Sequence, residues 1–429
     1  MQTGSNGERL LGSRVLERLT SFGFDETESG NVRPMRTPLT AELLPLIAAQ
    51  AAEADRTRSI SPDVITALKR SSVMVMSASK ELGGLGSTMT EIADELGAVA
   101  GACTSTAWCL WNHLSVFHLY VGALGPSNIE VLRGIVDRHE WVSFPAGAGS
   151  RIYGRIDGAE GSVELNGPST FGSGARYGDW VGAAFAVVDE HGVPVNPPDL
   201  RFTIVPIDGR LASVEPTWDG VALRASATDT VHHCGSRVPL SRCATWYSAN
   251  RAEVYRHLDY PVVHPRYRED WVGLSDMWLA AQAVGVAEAA IGETVDGVRS
   301  RRAIIGTAMV DLPMVPMRIG EATAMVAVAR AAVQVGCAEI DQRIAESIPP
   351  SEGDYQRQLA LSAQALRLCR EAMDQLLTVL GGNGLREGAS FQRRYRDLLA
   401  MPLHINAHPD RVYDKVGRHL LGVAPVTKF

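Results

Sequence analysis

The sequence predicts an α+β protein in which a helical domain, a domain of antiparallel strands and a four-helix bundle follow one another. Three changes of pattern along the 429 residues support this prediction. Apolar residues recur at helical spacing from Thr40, short apolar runs broken by Gly, Pro, Asn and Asp begin at Trp141, and helical spacing returns at about Glu269. The predicted parts are an N-terminal extension, an N-terminal helical domain, a middle β-domain and a C-terminal helical bundle, at residues 1–38, 39–140, 141–250 and 251–429.

The N-terminal helical domain is predicted from four helical runs. Two amphipathic helices follow Thr40, and the second begins through Ser61-Pro62, where proline suits the first helical position because an N–H there would be unpaired. A glycine turn then precedes a helix from about Thr88 and a long apolar helix from about Thr104. The extension before them is polar and contains glycine, and we interpret it as mobile or as a clasp on another subunit.

The C-terminal bundle is predicted from three long helices and a shorter charged segment. In the first long helix, small residues at close spacing (Ala281, Gly285 and Ala289) permit a neighbouring helix to approach tightly. Two more long helices are expected, at residues 316–346 and 355–380. Together with the charged stretch that follows, they complete a four-helix bundle.

Composition and charge argue against several classes of function. A net charge of −7 gives no basic surface for nucleic acid, and no apolar run approaches the roughly 20 residues that span a bilayer. The first residues lack the apolar segment of a signal peptide. The six cysteines lie far apart and no His/Cys spacing suggests a metal, so we expect a cytoplasmic protein with reduced cysteines and no metal site. No Gly-x-Gly-x-x-Gly follows a strand, which argues against a nicotinamide-binding domain.

The stretch at 380–410 is the most informative part of the sequence. Gly381 and Gly382 end an apolar helix, a cationic run with one acid follows at 393–397, and His404 lies between apolar neighbours. A solvated helix start with an Arg–Asp pair explains the cationic run. The alternative is an interface clamp that fixes the segment carrying His404.

This stretch resembles the C-terminal signature of the acyl-CoA dehydrogenase superfamily, a Gly-Gly turn followed by Arg-x-x-Arg-Asp that ends here at Asp397. In the dehydrogenases a catalytic glutamate commonly follows eight residues later, where this chain has Ile405. His404 stands one residue earlier. That exchange resembles the flavin-dependent monooxygenase branch, group D, whose members are the oxygenase components of two-component systems. The helix, Glu-Leu-Gly-Gly turn and helix near the N-terminus, and Trp218-Asp219-Gly220 in the β-domain, continue the resemblance.

The resemblance implies a two-component monooxygenase and leaves alternatives open. A separate flavin reductase would supply reduced FMN or FAD, which reacts with O2 to a C4a-hydroperoxide and hydroxylates a small molecule, first of all a phenolic or polycyclic aromatic. An N-oxygenase of an amino sugar is the alternative within the branch. Outside it, the chain would be an acyl-CoA dehydrogenase with Glu288 or Glu293 as base, or a non-enzymatic relative. The fold comparison also implies a homotetramer.

Ser173 is the residue that the resemblance places against the flavin. Phe171-Gly172-Ser173-Gly174 follows a predicted strand, and pattern alone favours a turn in which glycine supplies positive φ. In the monooxygenase branch a similar motif brings the serine hydroxyl to flavin N5. The resemblance therefore implies cofactor binding by residues from several segments, namely Phe171, Ser173, Gly174, Trp111, Ala146, Arg302, Gly381 and Gly382.

Histidines supply the other implied site residues. The residues expected to be catalytic are His404, Ser173 and His118. Imidazole titrates near neutral pH, so His404 could take a proton from a phenol or amine. His113, Tyr267 and His404 are expected to contact substrate. The alternative for the helix carrying His113 and His118 is buried aromatic packing, and for His404 it is a satisfied, partly buried residue. A solvated cluster is the alternative for Arg302. An aromatic and histidine-rich link forms either a substrate-side wall or a surface loop, comprising Tyr255, His257, Tyr260, His264 and Tyr267.

Overall fold

The computed structural model describes residues 36–147, 149–246, 261–303 and 306–424. Most of the predicted N-terminal extension lies outside the described residues, as do Tyr255, His257 and Tyr260 of the predicted wall. The α+β fold class is confirmed, because helices precede and follow a central sheet.

Within the described residues, five α-helices precede the sheet, and capping residues fix where several of them begin. They are α1 Leu44–Thr57, α2 Pro62–Arg70, α3 Met89–Ala102, α4 Thr104–Leu124 and α5 Ile129–Asp137. The Ser61 hydroxyl accepts a hydrogen bond from the N–H of Val64 at the start of α2. Thr88 and Glu91 form a capping box at the start of α3, each side chain accepting from the other residue's N–H. The almost wholly buried α4 runs through the centre of the molecule and carries the aromatic residues of the site.

The central sheet has eight strands and is mixed. The strands are β1 Val142–Ser143, β2 Tyr153–Asp157, β3 Ser162–Gly172, β4 Trp180–Val188, β5 Leu200–Pro206, β6 Ala212–Glu215, β7 Asp229–Pro239 and β8 Ala244–Thr245. Their order is β6-β7-β3-β2-β4-β5-β8, and β1 pairs with β4. The prediction of a wholly antiparallel domain is wrong at two pairings, since β1 and β2 both run parallel to β4. The segment 173–179 carries the chain past β3 and β2, so β4 pairs with β2 instead of the strand that precedes it.

Helices return after the sheet and form the bundle. They are α6 Trp271–Arg299, α7 Met314–Glu346, α8 Glu352–Leu380, α9 Ser390–Ala400 and α10 Pro409–Leu421. Among the described helices, α7 alone is long and apolar enough to cross a membrane by composition. Its Arg330 pairs with Glu288 of α6, and its Arg343 pairs with Glu269 just before α6. We therefore interpret α7 as a bundle helix.

The predicted close approach of helices occurs where α3 crosses α6. A Cβ built on Gly285 would lie 1.9 Å from the carbonyl oxygen of Gly97. No side chain fits in that space, so the two backbones are in direct contact. This contact joins the N-terminal helices to the bundle.

Gly285→Ala is expected to destabilise the protein, because the added methyl group would force α3 and α6 apart. Overpacking of this kind costs about 1–3 kcal/mol of unfolding free energy. The matched control is Gly292→Ala in the same helix, where a Cβ would meet nothing within 4 Å. The control is expected to be neutral or slightly stabilising, since alanine is the better helix former. Urea denaturation of both variants measures the difference, and equal stabilities would contradict the packing argument.

Candidate active site

Ser173 lies directly after β3, in a turn that points its hydroxyl into the protein. Gly174 adopts a φ of +72°, and its N–H donates to the carbonyl oxygen of Ser226 at 2.9 Å. The indole Nε1–H of Trp108, on α4, donates to Ser173 Oγ at 2.9 Å. Only 5% of Ser173 is exposed. The turn, the facing loop and the central helix therefore fix this hydroxyl from three sides.

A chain of hydroxyl groups continues from Ser173. Its Oγ lies 3.0 Å from Oγ1 of Thr228, which lies 2.7 Å from Oγ of Ser226. All three side chains are buried, and they connect the end of β3 to the loop that precedes β7. The site therefore contains a short buried polar row beside an otherwise aromatic wall.

The backbone around this row is strained at three non-glycine residues. Phe171, Leu223 and Ala227 have φ values of +62°, +49° and +45°. Left-handed backbone costs roughly 1–2 kcal/mol per non-glycine residue and clusters at functional sites. Phe171 is 59% exposed, and its ring meets that of Trp218 edge-on at 6.2 Å. The strain thus coincides with the position at which the sequence predicts ligand binding.

His404 contacts Trp108 and its neighbour Trp111. A 3-10 turn, Met401–Leu403, follows α9 and presents the imidazole to α4. Its ring meets Trp111 edge-on at 5.1 Å and Trp108 edge-on at 5.8 Å, measured between centroids. Burial lowers the pKa of His404 from 6.5 to about 4, so the ring is neutral at physiological pH. The N–H of Asn406 approaches Nδ1 at 3.4 Å, which is too long to fix the tautomer.

The predicted clamp on the His404 segment is present. It joins the helix α9 to N-terminal helices, to α6 and to the loop before β7. Arg394 donates to the carbonyl oxygen of Gly101 and, at 3.0 Å, to Glu293. Arg396 pairs with Asp55 of α1 at 2.6 Å. Asp397 accepts the N–H of Leu223 at 2.6 Å, and burial raises the pKa of this carboxyl to about 7. These contacts fix α9 to the N-terminal helices and to the loop that carries Ser226.

Other predicted residues lie apart from the Ser173 and His404 pair. His113 bonds through Nε2 to the carbonyl oxygen of Met74 at 2.8 Å and accepts the N–H of Val142 at Nδ1. Both of its ring nitrogens are therefore used by the backbone, and no ring atom is left for substrate. Burial lowers the pKa of His113 to about 4. Its contacts join α4 to β1, so it has a structural role.

His118 and Tyr267 form a second pair at the far end of α4. Their rings lie 5.0 Å apart, and Tyr267 Oη accepts the N–H of Ser79 at 3.0 Å. His118 Nε2 is 3.1 Å from the carbonyl oxygen of Glu269. Both residues are buried.

The remaining predicted cofactor residues lie at or near the surface. Arg302 is exposed and donates to the carbonyl oxygen of Gly306 at 2.8 Å. Gly381 and Gly382 are exposed, and a Cβ on either would meet nothing within 4 Å. Ala146 is exposed near the strained end of β3. Trp111, in contrast, is buried, and its Nε1–H donates to the carbonyl oxygen of Ser275 at 2.8 Å.

Three functional candidates were missed from the sequence as individual site residues: Trp108, Ser226 and Thr228. Trp108 was considered only as buried packing, because a periodicity does not show which hydroxyl an indole meets. Ser226 and Thr228 stand two apart just before β7, a spacing that would place both hydroxyls on one side if the chain there were a strand. That spacing was the available signal.

Comparison with known proteins identifies the fold. Residues 277–409 match the family model described as the C-terminal domain of acyl-CoA dehydrogenase. XiaF from Streptomyces sp., solved in complex with FADH2 and glycerol, superposes with a TM-score of 0.81 at 20% identity and covers 97% of each chain. The chain has the acyl-CoA dehydrogenase fold, and its residues 277–409 are similar to the C-terminal domain of that family.

Relatives with described activities within the superfamily are oxygenase components. That of p-hydroxyphenylacetate 3-hydroxylase from Acinetobacter baumannii is 24% identical over 391 residues, covering 90% of this chain and 88% of the relative. The oxygenase component of an FADH(2)-dependent resorcinol hydroxylase from Rhizobium sp. (strain MTP-10005) is 25% identical over 404 residues. The match covers 90% of this chain and 93% of the relative. The predicted resemblance to the monooxygenase branch is confirmed.

The two glutamates that could serve as the base of a dehydrogenase, Glu288 and Glu293, each form an ion pair with an arginine. Glu288 pairs with Arg330 inside the bundle. Glu293 accepts from Arg394 and, at 2.9 Å, from the Ser390 hydroxyl. Neither carboxylate lies among the contacts of Ser173 or His404. Within the described residues, the contacts of Trp108 and Trp111 include the neutral imidazole of His404 and neither of these two glutamates.

The residues beside Ser173 fit the polar edge of a planar flavin ring. The buried Nε1 of Trp141 has no hydrogen-bond partner within the described residues, and a Cβ on Gly174 would lie only 3.1 Å from it. The Nε of Arg224, in the loop facing Ser173, is likewise buried without a partner. An unpartnered buried N–H such as that of Trp141, beside the turn that holds Ser173, is a group that a ring bearing carbonyl oxygens and ring nitrogens would satisfy.

Proposed function

We propose that the protein is the oxygenase component of a two-component flavin-dependent monooxygenase that hydroxylates a phenolic or polycyclic aromatic substrate. A separate reductase would supply the reduced FMN or FAD. The observation that carries the proposal is the position of His404, whose neutral ring contacts Trp108, the same tryptophan that hydrogen-bonds the hydroxyl of Ser173. When bound, the reduced flavin supplies the reaction with O2.

Residues of this chain would bind and orient the flavin ring. Ser173 would hydrogen-bond N5, and Gly174 lets the backbone come close, since any Cβ there would crowd Trp141. Phe171 and Ala146 lie exposed at the mouth of the turn, where they would contact the ring edge. Trp108 and Trp111, whose ring centroids lie 4.8 Å apart, would form an apolar wall that keeps water from the bound ring.

His404 would act on the substrate. An imidazole whose pKa is about 4 stays unprotonated above pH 5, so it accepts the proton of a phenol as the ring becomes nucleophilic. The clamp of Arg394, Arg396 and Asp397 would hold it in place. His118 and Tyr267 would support the helix α4 from its far end.

Three exposed residues are available for contact with a neighbouring subunit: Arg302, Gly381 and Gly382. We propose that they contact the flavin phosphate of an adjacent protomer in a homotetramer, where an arginine would bind the anion. A cytoplasmic location follows from the need for a reductase partner. Arg302→Ala would then weaken flavin binding without changing the product.

The test of this function is a single turnover with chemically reduced flavin and no reductase. The protein is mixed anaerobically with reduced FMN or FAD and p-hydroxyphenylacetate or resorcinol, then exposed to O2, and products are separated by chromatography. A hydroxylated aromatic supports the proposal. Bleaching of a bound oxidised flavin by an acyl-CoA would instead support a dehydrogenase, and binding of neither flavin form would indicate a non-enzymatic relative.

A further inference from the structure

The buried hydroxyl row beside Ser173 contains a fixed number of hydrogen atoms. Four donor hydrogens are present, on the Trp108 indole and on the hydroxyls of Ser173, Thr228 and Ser226. Three hydrogen bonds join these four groups, so one hydrogen is left over. The indole N–H donates only, which fixes one of the two acceptor positions on Ser173 Oγ.

The position of the leftover hydrogen decides how Ser173 meets a ligand. If the row runs from Ser226 through Thr228 to Ser173, the Ser173 hydrogen points at the ligand and Ser173 donates. If the row runs the other way, Ser173 donates to Thr228, and its remaining lone pair accepts a hydrogen from the ligand. Thr228 makes the second arrangement possible, because within the described residues it is the one acceptor that Ser173 Oγ reaches.

Flavin N5 differs in the same respect between oxidation states. In oxidised flavin N5 is an acceptor only, and in reduced flavin it carries a hydrogen and donates. We infer that Thr228, supported by Ser226, is a positioning residue that lets Ser173 accept a hydrogen bond from the N5–H of reduced flavin. This inference rests on the proposed function, and it assigns the choice of flavin oxidation state to residues that do not touch the flavin.

Thr228→Val tests the inference because it keeps the shape of the side chain and removes the hydroxyl. The Ser173 hydroxyl hydrogen then has no acceptor in the protein and points at the flavin. It can still donate a hydrogen bond to N5 of oxidised flavin, but it repels the N5–H of reduced flavin. Affinity for reduced FMN and FAD should fall about tenfold relative to affinity for the oxidised forms. The two-electron potential of the bound flavin should become more negative by about 30 mV, which is the same tenfold change.

Two further variants separate this effect from a general loss of structure. Thr228→Ser keeps the hydroxyl and should restore the wild-type ratio of reduced to oxidised affinity. Ser226→Ala removes the acceptor for the Thr228 hydrogen and should also weaken the reduced form selectively, from the other end of the row. Ser226 and Thr228 are separate side chains, so a selective loss of reduced-flavin affinity in both variants is not explained by one packing defect.

The measurement is anaerobic titration of each protein with reduced and oxidised FMN and FAD, together with the potential of the bound flavin. Selective loss of reduced-flavin affinity in Thr228→Val and Ser226→Ala, with recovery in Thr228→Ser, supports the inference. Equal weakening of both oxidation states, or an unchanged ratio, overturns it. Failure of the wild-type protein to bind either flavin form would overturn the proposed function instead, so the two failures are distinguishable.

Discussion

His404→Ala is expected to reduce the rate of hydroxylated product formation by about 10²–10⁴-fold, the usual contribution of a general base. The imidazole lies against Trp108 and Trp111, and it is the candidate base that the described contacts place at this wall. Without it, the phenol keeps its proton and is a poorer nucleophile. Oxygen consumption should continue, and H2O2 should appear in place of product. Product and H2O2 are measured in the same single-turnover reaction.

His408→Ala is the matched control for this prediction. His408 stands four residues later and is partly exposed, and its nearest charged partner is Asp410 at 4.0 Å. Its loss should leave product formation unchanged. Equal yields from wild type and His404→Ala would show that His404 is not the base.

The pH dependence of product formation follows from the lowered pKa of His404. Because burial lowers the pKa from 6.5 to about 4, the folded protein does not bind this proton between those values, whereas the unfolded chain does. Folding stability from this group is therefore lost as pH falls from 6.5 towards 4. Product formation should stay constant from pH 8 to about 5 and decline below. A decline centred near pH 6.5 would show a solvated imidazole.

Glu269→Ala is expected to cause the largest loss of stability. Its carboxylate receives two hydrogen bonds of 2.9 Å from Arg343, and both residues are buried. Removing one partner of a buried ion pair costs about 3–5 kcal/mol, because the other charge stays in a dry environment. Arg343 also lies 3.5 Å from Asp354, so we expect a value of about 3 kcal/mol, at the lower end of this range.

An exposed ion pair between α7 and α8 provides the control. Arg357 and Glu339 form a comparable ion pair at 2.8 Å, but solvent reaches both side chains. Glu339→Ala should change the unfolding free energy by about 0–1 kcal/mol, since water screens the pair. Urea denaturation of both variants measures the difference. A loss from Glu269→Ala as small as that from Glu339→Ala would contradict the assignment of this buried pair.

Local features of the fold were predictable because they depend on neighbouring residues. Pro62 favours the first position of a helix, and Thr88 caps one with its side chain, so both helix starts could be predicted locally. The small residue Gly285 indicated a close helix contact. The partners of β4 were not predictable, since alternation defines a strand but not which strand lies beside it.

The site was predictable to the extent that it resembles a known pattern. Ser173 and His404 both contact Trp108, and their roles toward flavin and substrate stay predictions. The resemblance between sequence motifs could not show that both ring nitrogens of His113 bond to the backbone. It also could not show that Trp108 contacts both Ser173 and His404. Those facts depend on contacts between segments far apart in the chain.

The central claim is that this chain transfers oxygen from O2 to an aromatic substrate using flavin that arrives reduced. It is tested most directly by a single turnover with reduced flavin, a phenolic substrate and ¹⁸O2, followed by mass spectrometry of the product. The account predicts one ¹⁸O atom in each hydroxylated molecule, with the yield lost in His404→Ala. Unlabelled product, or reduced flavin consumed only to H2O2 with every phenol and polycyclic aromatic tried, would contradict it.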